Sequence, residues 1–481
     1  MVRRWCFEFG IMLMITIMMM SSPGCVWANS WEDCGTLPQT MPPIPSTCVE
    51  EPESTPPSAL RDPDFRLRLA RTNVPVVIRG GLGKEGLGWG ADGWTWESVG
   101  ASLGSRRMDG VWTREEGEYH AFARVATQGM DREDEEWWGE VSGGRVVFDS
   151  FDKVTLRGKE MCDELGSEHT LEGTRKRLLY HHLTRDGLAR DLKAGLEPME
   201  NLVYEDGDAN VSVWFSSRGV VAHPHWDRNH NVFVQILGSK RITLIAPKDL
   251  DAVHPFPTLH ASWAQAQVDL LAPNVTQFPR VEELEGKCMA ITLQAGDLLF
   301  IPPYTLHHVH TLEASLSVSH HSYSPAIWAD RAAVKDAYKA PIPVQPEWER
   351  PKLVAGLFLF LEAVIEAAEV EDPTPAAFVA NLLSTRYAPL LSTSLPTPDP
   401  SLCPGHHRVM IELEDGEREG LEEGGAVVGG ILRSLEYARR QYVGAYVEEV
   451  VRMVCPETPS SGMPGMECVV SLLSHCFVSS P

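Results

Sequence analysis

From Asn210 to about Tyr323 the chain reads as short apolar segments, VSVWF, NVFVQIL, RITLIAP, AITLQ, DLLFIP and ASLSVS, separated by turn-forming residues. A segment this short cannot bury a face alone, so a succession of them must close into a β-sandwich or barrel. Gly238 and Ser239 join NVFVQIL to KRITLIAP, the spacing of a tight two-residue hairpin. Within this region lies HPHWDRNHN, residues 223–231, with three histidines, one aspartate and two asparagines between apolar strand-like runs. Such a stretch is either a polar turn or a place where chemistry is done.

The flanks are organised differently. Residues 29–62 are Pro-rich with little apolar periodicity and read as an extended lead-in. FRLRLAR predicts a short helix, Val76 to Ile78 a buried strand closed by Gly80 and Gly81, and WTWESVGASLG a second helix. Residues 110–205 read as irregular, with the acidic DREDEEWW at 131–138 as a solvated loop and LTRDGLARDLKAGL at 183–196 as a helix. Beyond Pro341 the chain turns helical: LVAGLFLFLEAVIEAAEV at 353–370, then, after a Pro- and Ser-rich linker at 392–404, one longer segment from about Leu421 to Met453. Glu362 interrupts the apolar run of the first, which argues for a packed helix instead of a membrane span.

Arg3 and Arg4, an apolar run from Phe9 to Met20 and small residues at Val26 and Ala28 follow the order of a secretory signal peptide over 1–28. Without Cys6 and Cys25 the chain keeps Cys34, Cys48, Cys162, Cys288, Cys403, Cys455, Cys468 and Cys476, an even number that suits disulfides in an oxidising lumen. Cys34 with Cys48, and pairs among Cys403, Cys455, Cys468 and Cys476, would clip the two termini. Asn210-Val-Ser and Asn274-Val-Thr are glycan acceptor triplets. These features place the chain in the secretory pathway, in the endoplasmic reticulum lumen or outside the cell. A net charge of −24, from 42 Lys plus Arg against 66 Asp plus Glu, disfavours nucleic acid and anionic membranes as partners.

Two segments carry the chemistry. On a strand, residues two apart share a face, so His225 and Asp227 would project together, with His223 lining the approach. A third ligand must come from GDLLFIPPYTLHHVH at 296–310, which resumes after Pro302 and Pro303 at His307, His308 and His310. Strand parity sets 307 and 309 against 308 and 310 without choosing between the two faces. Two histidines and one carboxylate on one side of a metal leave three positions open, as iron(II) oxygenases require.

Together, VVAHPHWDRNHNVFVQILGSKRITLIAP and AGDLLFIPPYTLHHVHTLEASLSVS resemble the JmjC, cupin-like iron(II)/2-oxoglutarate dioxygenases. The small-hydroxylase branch, which includes the asparaginyl hydroxylase acting on hypoxia-inducible factor and the tRNA wybutosine hydroxylase, shares the spacing of Asp227, Asn231, Gln235, Gly238, Lys240 and Arg241. The likeness covers roughly residues 65–330 and implies an α+β fold: a double-stranded β-helix, or jelly-roll, with N-terminal α/β elements and a helical C-terminal region. The division expected is a cupin-like domain over 63–330 with its metal-site core at 206–325, and a helical region over 331–481 through which two copies could pair. The resemblance implies iron(II) on His225, Asp227 and His307, 2-oxoglutarate as cosubstrate with its distal carboxylate on Lys240, and Asn231 beside the same pocket. His308 and His310 are then bystanders. Ala222 stands where many relatives carry Thr or Ser, and Ser319, His320 and His321 stand where they carry Asn and aromatic residues; His320 or His321 could supply a substitute donor. The implied activity is hydroxylation of a protein or peptide side chain, with substrate choice set by 110–205 and an insertion at 251–287. The rivals are a non-catalytic lumenal binding protein of this fold that retains the metal site, and a metal-binding cupin of another class, such as an isomerase.

Overall fold

The computed structural model describes residues 48–50, 54–88, 94–115, 121–122, 152–167, 177–184, 188, 192, 210–260, 262–345, 347–391, 413–455 and 466–478. DREDEEWW and the linker at 392–404 lie outside these residues, as do the leader, Cys34 and Cys403.

The strands are β1 (Val49–Glu50), β2 (Val76–Ile78), β3 (Arg107–Glu115), β4 (Ala121–Phe122), β5 (Asp152–Arg157), β6 (Arg177–Thr184), β7 (Asn210–Ser216), β8 (Val221–His225), β9 (His230–Leu237), β10 (Lys240–Ile245), β11 (Met289–Leu293), β12 (Leu298–Ile301), β13 (Leu306–Thr311) and β14 (Ser315–Ser322). They form two sheets, ordered β1-β11-β10-β13-β8-β4 and β2-β12-β9-β14-β7-β6-β3-β5. The inner strands of both make the expected jelly-roll, and Phe233, Ile242, Leu244, Ile291, Leu299 and Ile301 fill the space between.

Three expectations change here. Gly238 and Ser239 do not form a hairpin. Each strand has two edges: β9 spends its own on β12 and β14, and β10 on β11 and β13, so the two cannot pair and the turn carries the chain from one sheet to the other. Gly238 has φ 69°, and a Cβ there would meet the Ala314 carbonyl oxygen at 2.1 Å, so only glycine fits the crossing. The region 110–205 is not merely irregular, because β3, β5 and β6 extend the larger sheet beyond β7. The helix expected over 183–196 begins instead as the end of β6, and most of the remainder lies outside the described residues.

Helices α1 (Pro63–Arg71), α2 (Trp96–Leu103) and α3 (Gly158–Ser167) precede the barrel. Thr95 and Ser98 start α2 with a reciprocal capping box. Val99 and Leu103 of α2 and Met161 and Leu165 of α3 then pack with the outer face of the larger sheet.

After the barrel come α4 (Pro325–Lys339), α5 (Arg350–Ala367), α6 (Pro375–Arg386), α7 (Asp415–Arg433), α8 (Arg439–Arg452) and α9 (Met466–Leu472). The single helix expected over 421–453 is two, α7 and α8, broken where Ala438 takes the left-handed conformation at φ 48°. Gly425 and Gly429, one turn apart on α7, lie against α5 so closely that a Cβ on either would come within 2.4 Å of a carbonyl oxygen of Phe360 or Val364. No described helix is long and apolar enough to cross a membrane.

Two disulfides join described residues, Cys48–Cys288 and Cys455–Cys468. Cys48 therefore pairs with Cys288 and not with Cys34: β1 runs parallel to β11 with Val49 opposite Met289, and this brings together the residues just before each strand. Cys162 is buried and unpaired, so the even count does not resolve into pairs throughout.

Candidate metal centre

β13 runs antiparallel to β8, with His307 opposite His225 and Val309 opposite Ala222. Between these pairs His223 and Pro224 together face His308, a bulge at the point where proline has no N–H to give. The bulge sets the direction of His225 as the strand ends. Asp227 is not on the strand, contrary to the parity argument. β8 stops at His225, and Asp227 lies in the following turn, where the Tyr304 backbone N–H donates to its carbonyl oxygen at 2.7 Å.

The three side chains meet. One ligand atom from each of His225, Asp227 and His307 lies within 4.8 Å of the others, and His307 Nε2 is 3.7 Å from Asp227 Oδ2. The imidazoles of His225 and His307 stand 4.2 Å apart, centroid to centroid. His225 Nδ1 donates to the His223 carbonyl at 2.7 Å, and His307 Nδ1 to that of Thr305 at 3.1 Å. A carbonyl can only accept, so both Nδ1 atoms carry the proton and both Nε2 atoms offer a lone pair. Burial, with His225 adding to it, lowers the His307 pKa to about 4, which keeps that ring in the neutral form a metal binds. Burial pushes the Asp227 carboxyl up, but the imidazoles of His321, His307 and His225 outweigh it and hold the group below its ordinary value.

These residues line a cavity of ≈ 240 Å³ that also contains Asn231 and Lys240. Lys240 is 4% exposed, and among the described residues it has no carboxylate partner, only the Ser317 hydroxyl at 2.8 Å. Burial alone drops its pKa to about 7. Asn231 is buried with no hydrogen-bond partner for its Oδ1. A buried ammonium without a carboxylate partner among the described residues, in one cavity with two imidazoles and a carboxylate, suits a divalent metal plus a small dianion better than it suits a packed core. The donor set of two nitrogens and one carboxylate fits iron(II).

Of the remaining candidates, Ala222 lines the cavity as an apolar patch, and the Ser319 hydroxyl accepts from Trp214 Nε1 at 3.1 Å. His223 also borders the cavity, but its Nε2 donates to the Ala266 carbonyl at 2.6 Å. His308 and His310 line no part of the cavity, and of the two histidines on β14 His321 enters it while His320 does not. Tyr180, Trp214, Ser216, Gln265 and Thr311 line it as well and were missed from sequence. Tyr180 sits on a strand that the sequence pattern did not reveal, and Gln265 comes from the insertion at 251–287, where it bridges to His225.

The chain matches the cupin-like domain family over residues 64–325. It is 34% identical over 113 residues to Jumonji C domain-containing protein 5 of Drosophila melanogaster, covering 24% of this chain and 27% of that protein. It is 37% identical over 111 residues to lysine-specific demethylase JMJ30 of Arabidopsis thaliana, with coverage of 23% and 25%. To tRNA wybutosine-synthesizing protein 5 of Gallus gallus it is 30% identical over 105 residues, with coverage of 22% and 30%. The matched stretch thus spans between a quarter and a third of each of these relatives. With a family match over more than half its length and a jelly-roll that gathers two histidines and an aspartate, the chain belongs to the cupin-like family, on the side of it that carries JmjC domains.

Proposed function

We propose that this protein is an iron(II)- and 2-oxoglutarate-dependent oxygenase that hydroxylates a side chain of a protein or peptide in the secretory pathway. One observation carries the reading: the buried Lys240 ammonium shares a cavity with the convergent His225, Asp227 and His307 and has no carboxylate partner among the described residues. His225, Asp227 and His307 would hold the metal, and the chemistry that a loaded centre supplies is C–H oxidation coupled to decarboxylation of 2-oxoglutarate. Lys240 binds the distal carboxylate of 2-oxoglutarate as a point charge, with Ser317 orienting the ammonium and Asn231 beside it. Val220, Ala222, Phe233 and Val309 keep the cavity apolar and exclude water, which strengthens the ionic contact. Disulfides Cys48–Cys288 and Cys455–Cys468, together with the N-terminal leader pattern, support the secretory location.

Ala222 and the occupied Ser319 hydroxyl favour a second reading, in which the fold and metal site persist without turnover. Incubating the purified chain with iron(II), 2-oxoglutarate and candidate peptides, with and without His225→Ala, separates the two. Iron-dependent succinate that the substitution abolishes supports the oxygenase. No succinate from the wild type with any peptide supports the binding protein.

A further inference from the structure

We propose that His321 is a positioning residue for the metal centre: its Nδ1 faces the Asp227 carboxylate at 3.8 Å and, once the two close to hydrogen-bonding range, donates to it and fixes the plane in which that carboxylate meets the metal. The inference rests on the oxygenase reading above and concerns how its one anionic ligand is held.

The centre is unevenly supported. His225 and His307 are each locked by a bond from Nδ1 to a backbone carbonyl. Asp227 has its backbone held by Tyr304, but among the described residues nothing donates to its carboxylate. Ligating carboxylates need such a donor as much as ligating imidazoles need an acceptor, because a free carboxylate rotates about its last bond.

His321 Nδ1 is 3.8 Å from Asp227 Oδ2, the same oxygen that His307 Nε2 approaches to 3.7 Å. It is a few tenths of an ångström beyond hydrogen-bonding range. That nitrogen is buried and makes no other hydrogen bond among the described residues. The ring stands on β14, hydrogen-bonded between β7 and β9, with Asn231 opposite His321, so a rigid element presents it. Since a carboxylate only accepts, Nδ1 must carry the proton. His321 lies outside the group whose ligand atoms are all within 4.8 Å, which makes it a neighbour of the metal set and not a fourth member. An Oδ2 with two lone pairs can serve imidazole and metal at once, or leave the metal to Oδ1; the carboxylate plane is fixed in either case.

The test is calorimetric titration of the full chain with Mn(II), comparing wild type, His225→Ala, His321→Leu and His321→Asn. Asparagine places an amide N–H near the position of Nδ1, and leucine places none. The leucine variant should bind Mn(II) about 10- to 100-fold more weakly, and the asparagine variant should recover to within roughly threefold of wild type. If leucine prevents folding, His321→Phe replaces it. Wild-type affinity in the leucine or phenylalanine variant, alongside loss in His225→Ala, overturns the role of His321 and leaves the metal centre standing. Equal binding, or none, by wild type and His225→Ala overturns the metal centre itself and this inference with it.

Discussion

The barrel and the helical tail both bury charge, and they treat it in opposite ways. In the tail, Arg386 on α6 and Glu448 on α8 are 5% and 0% exposed and meet at 2.8 Å. Glu448 also accepts from the Thr258 backbone N–H at 2.7 Å, and Arg386 donates to the Thr258 hydroxyl and to Gln441 Oε1, both at 2.9 Å. In the barrel, Lys240 is equally buried and meets, among the described residues, the Ser317 hydroxyl and the face of Phe233 but no carboxylate. A buried charge surrounded by partners is architecture: here it ties the insertion to the last helices. A buried charge without a counter-ion costs stability in the ligand-free protein, and a fold tolerates that cost where an anion is to be received.

Removing one charge from each place tests the contrast. Glu448→Ala strands the Arg386 guanidinium and should lower the unfolding free energy by about 3–5 kcal/mol, read by denaturant titration. Lys240→Met should leave the ligand-free protein as stable as wild type or more so, yet weaken 2-oxoglutarate binding by on the order of 10- to 100-fold. Comparable destabilisation by both substitutions would erase the distinction.

pH sharpens it. Lys240 titrates near 7 in the folded chain against an ordinary value of 10.5, so above pH 7 the unfolded chain binds the proton that the folded chain has lost. Stability of the ligand-free protein should therefore rise between about pH 7 and 10.5 through this group, while 2-oxoglutarate affinity should fall about tenfold per unit over the same window, because only the ammonium attracts the carboxylate. Lys240→Met should flatten both slopes. The smallest effect belongs to His310, which faces away from the cavity: His310→Gln should leave Mn(II) affinity and turnover within about twofold of wild type.

How much was legible varied with distance along the chain. Most strands from β7 to β14 showed as short apolar runs between turn residues, His225 and Asp227 were paired by strand parity, and His307, Lys240 and Asn231 were named through the family's spacing. Asp227 does converge with His225 and His307, but not by strand parity: a turn held by Tyr304 aims it. Failures cluster where the partner is remote. The Gly238 turn has hairpin spacing, but which edges of β9 and β10 are already taken is decided by β12, β14, β11 and β13. Cys48 chose Cys288 across a sequence separation of 240 because β1 aligns with β11. His320 and His321 were left level as substitute donors, and only β14 turned His321 into the cavity, 3.8 Å from Asp227.

By itself, then, the sequence determined which side chains were available for metal and anion, and that short strands would have to close on one another, since residue chemistry and local periodicity need no distant partner. Tertiary structure alone decided which strands share an edge, which histidine of each adjacent pair faces inward, and that Lys240 would be sealed in without a counter-ion among the described residues. Those outcomes depend on burial, and burial is set only when both sheets and the tail are in place.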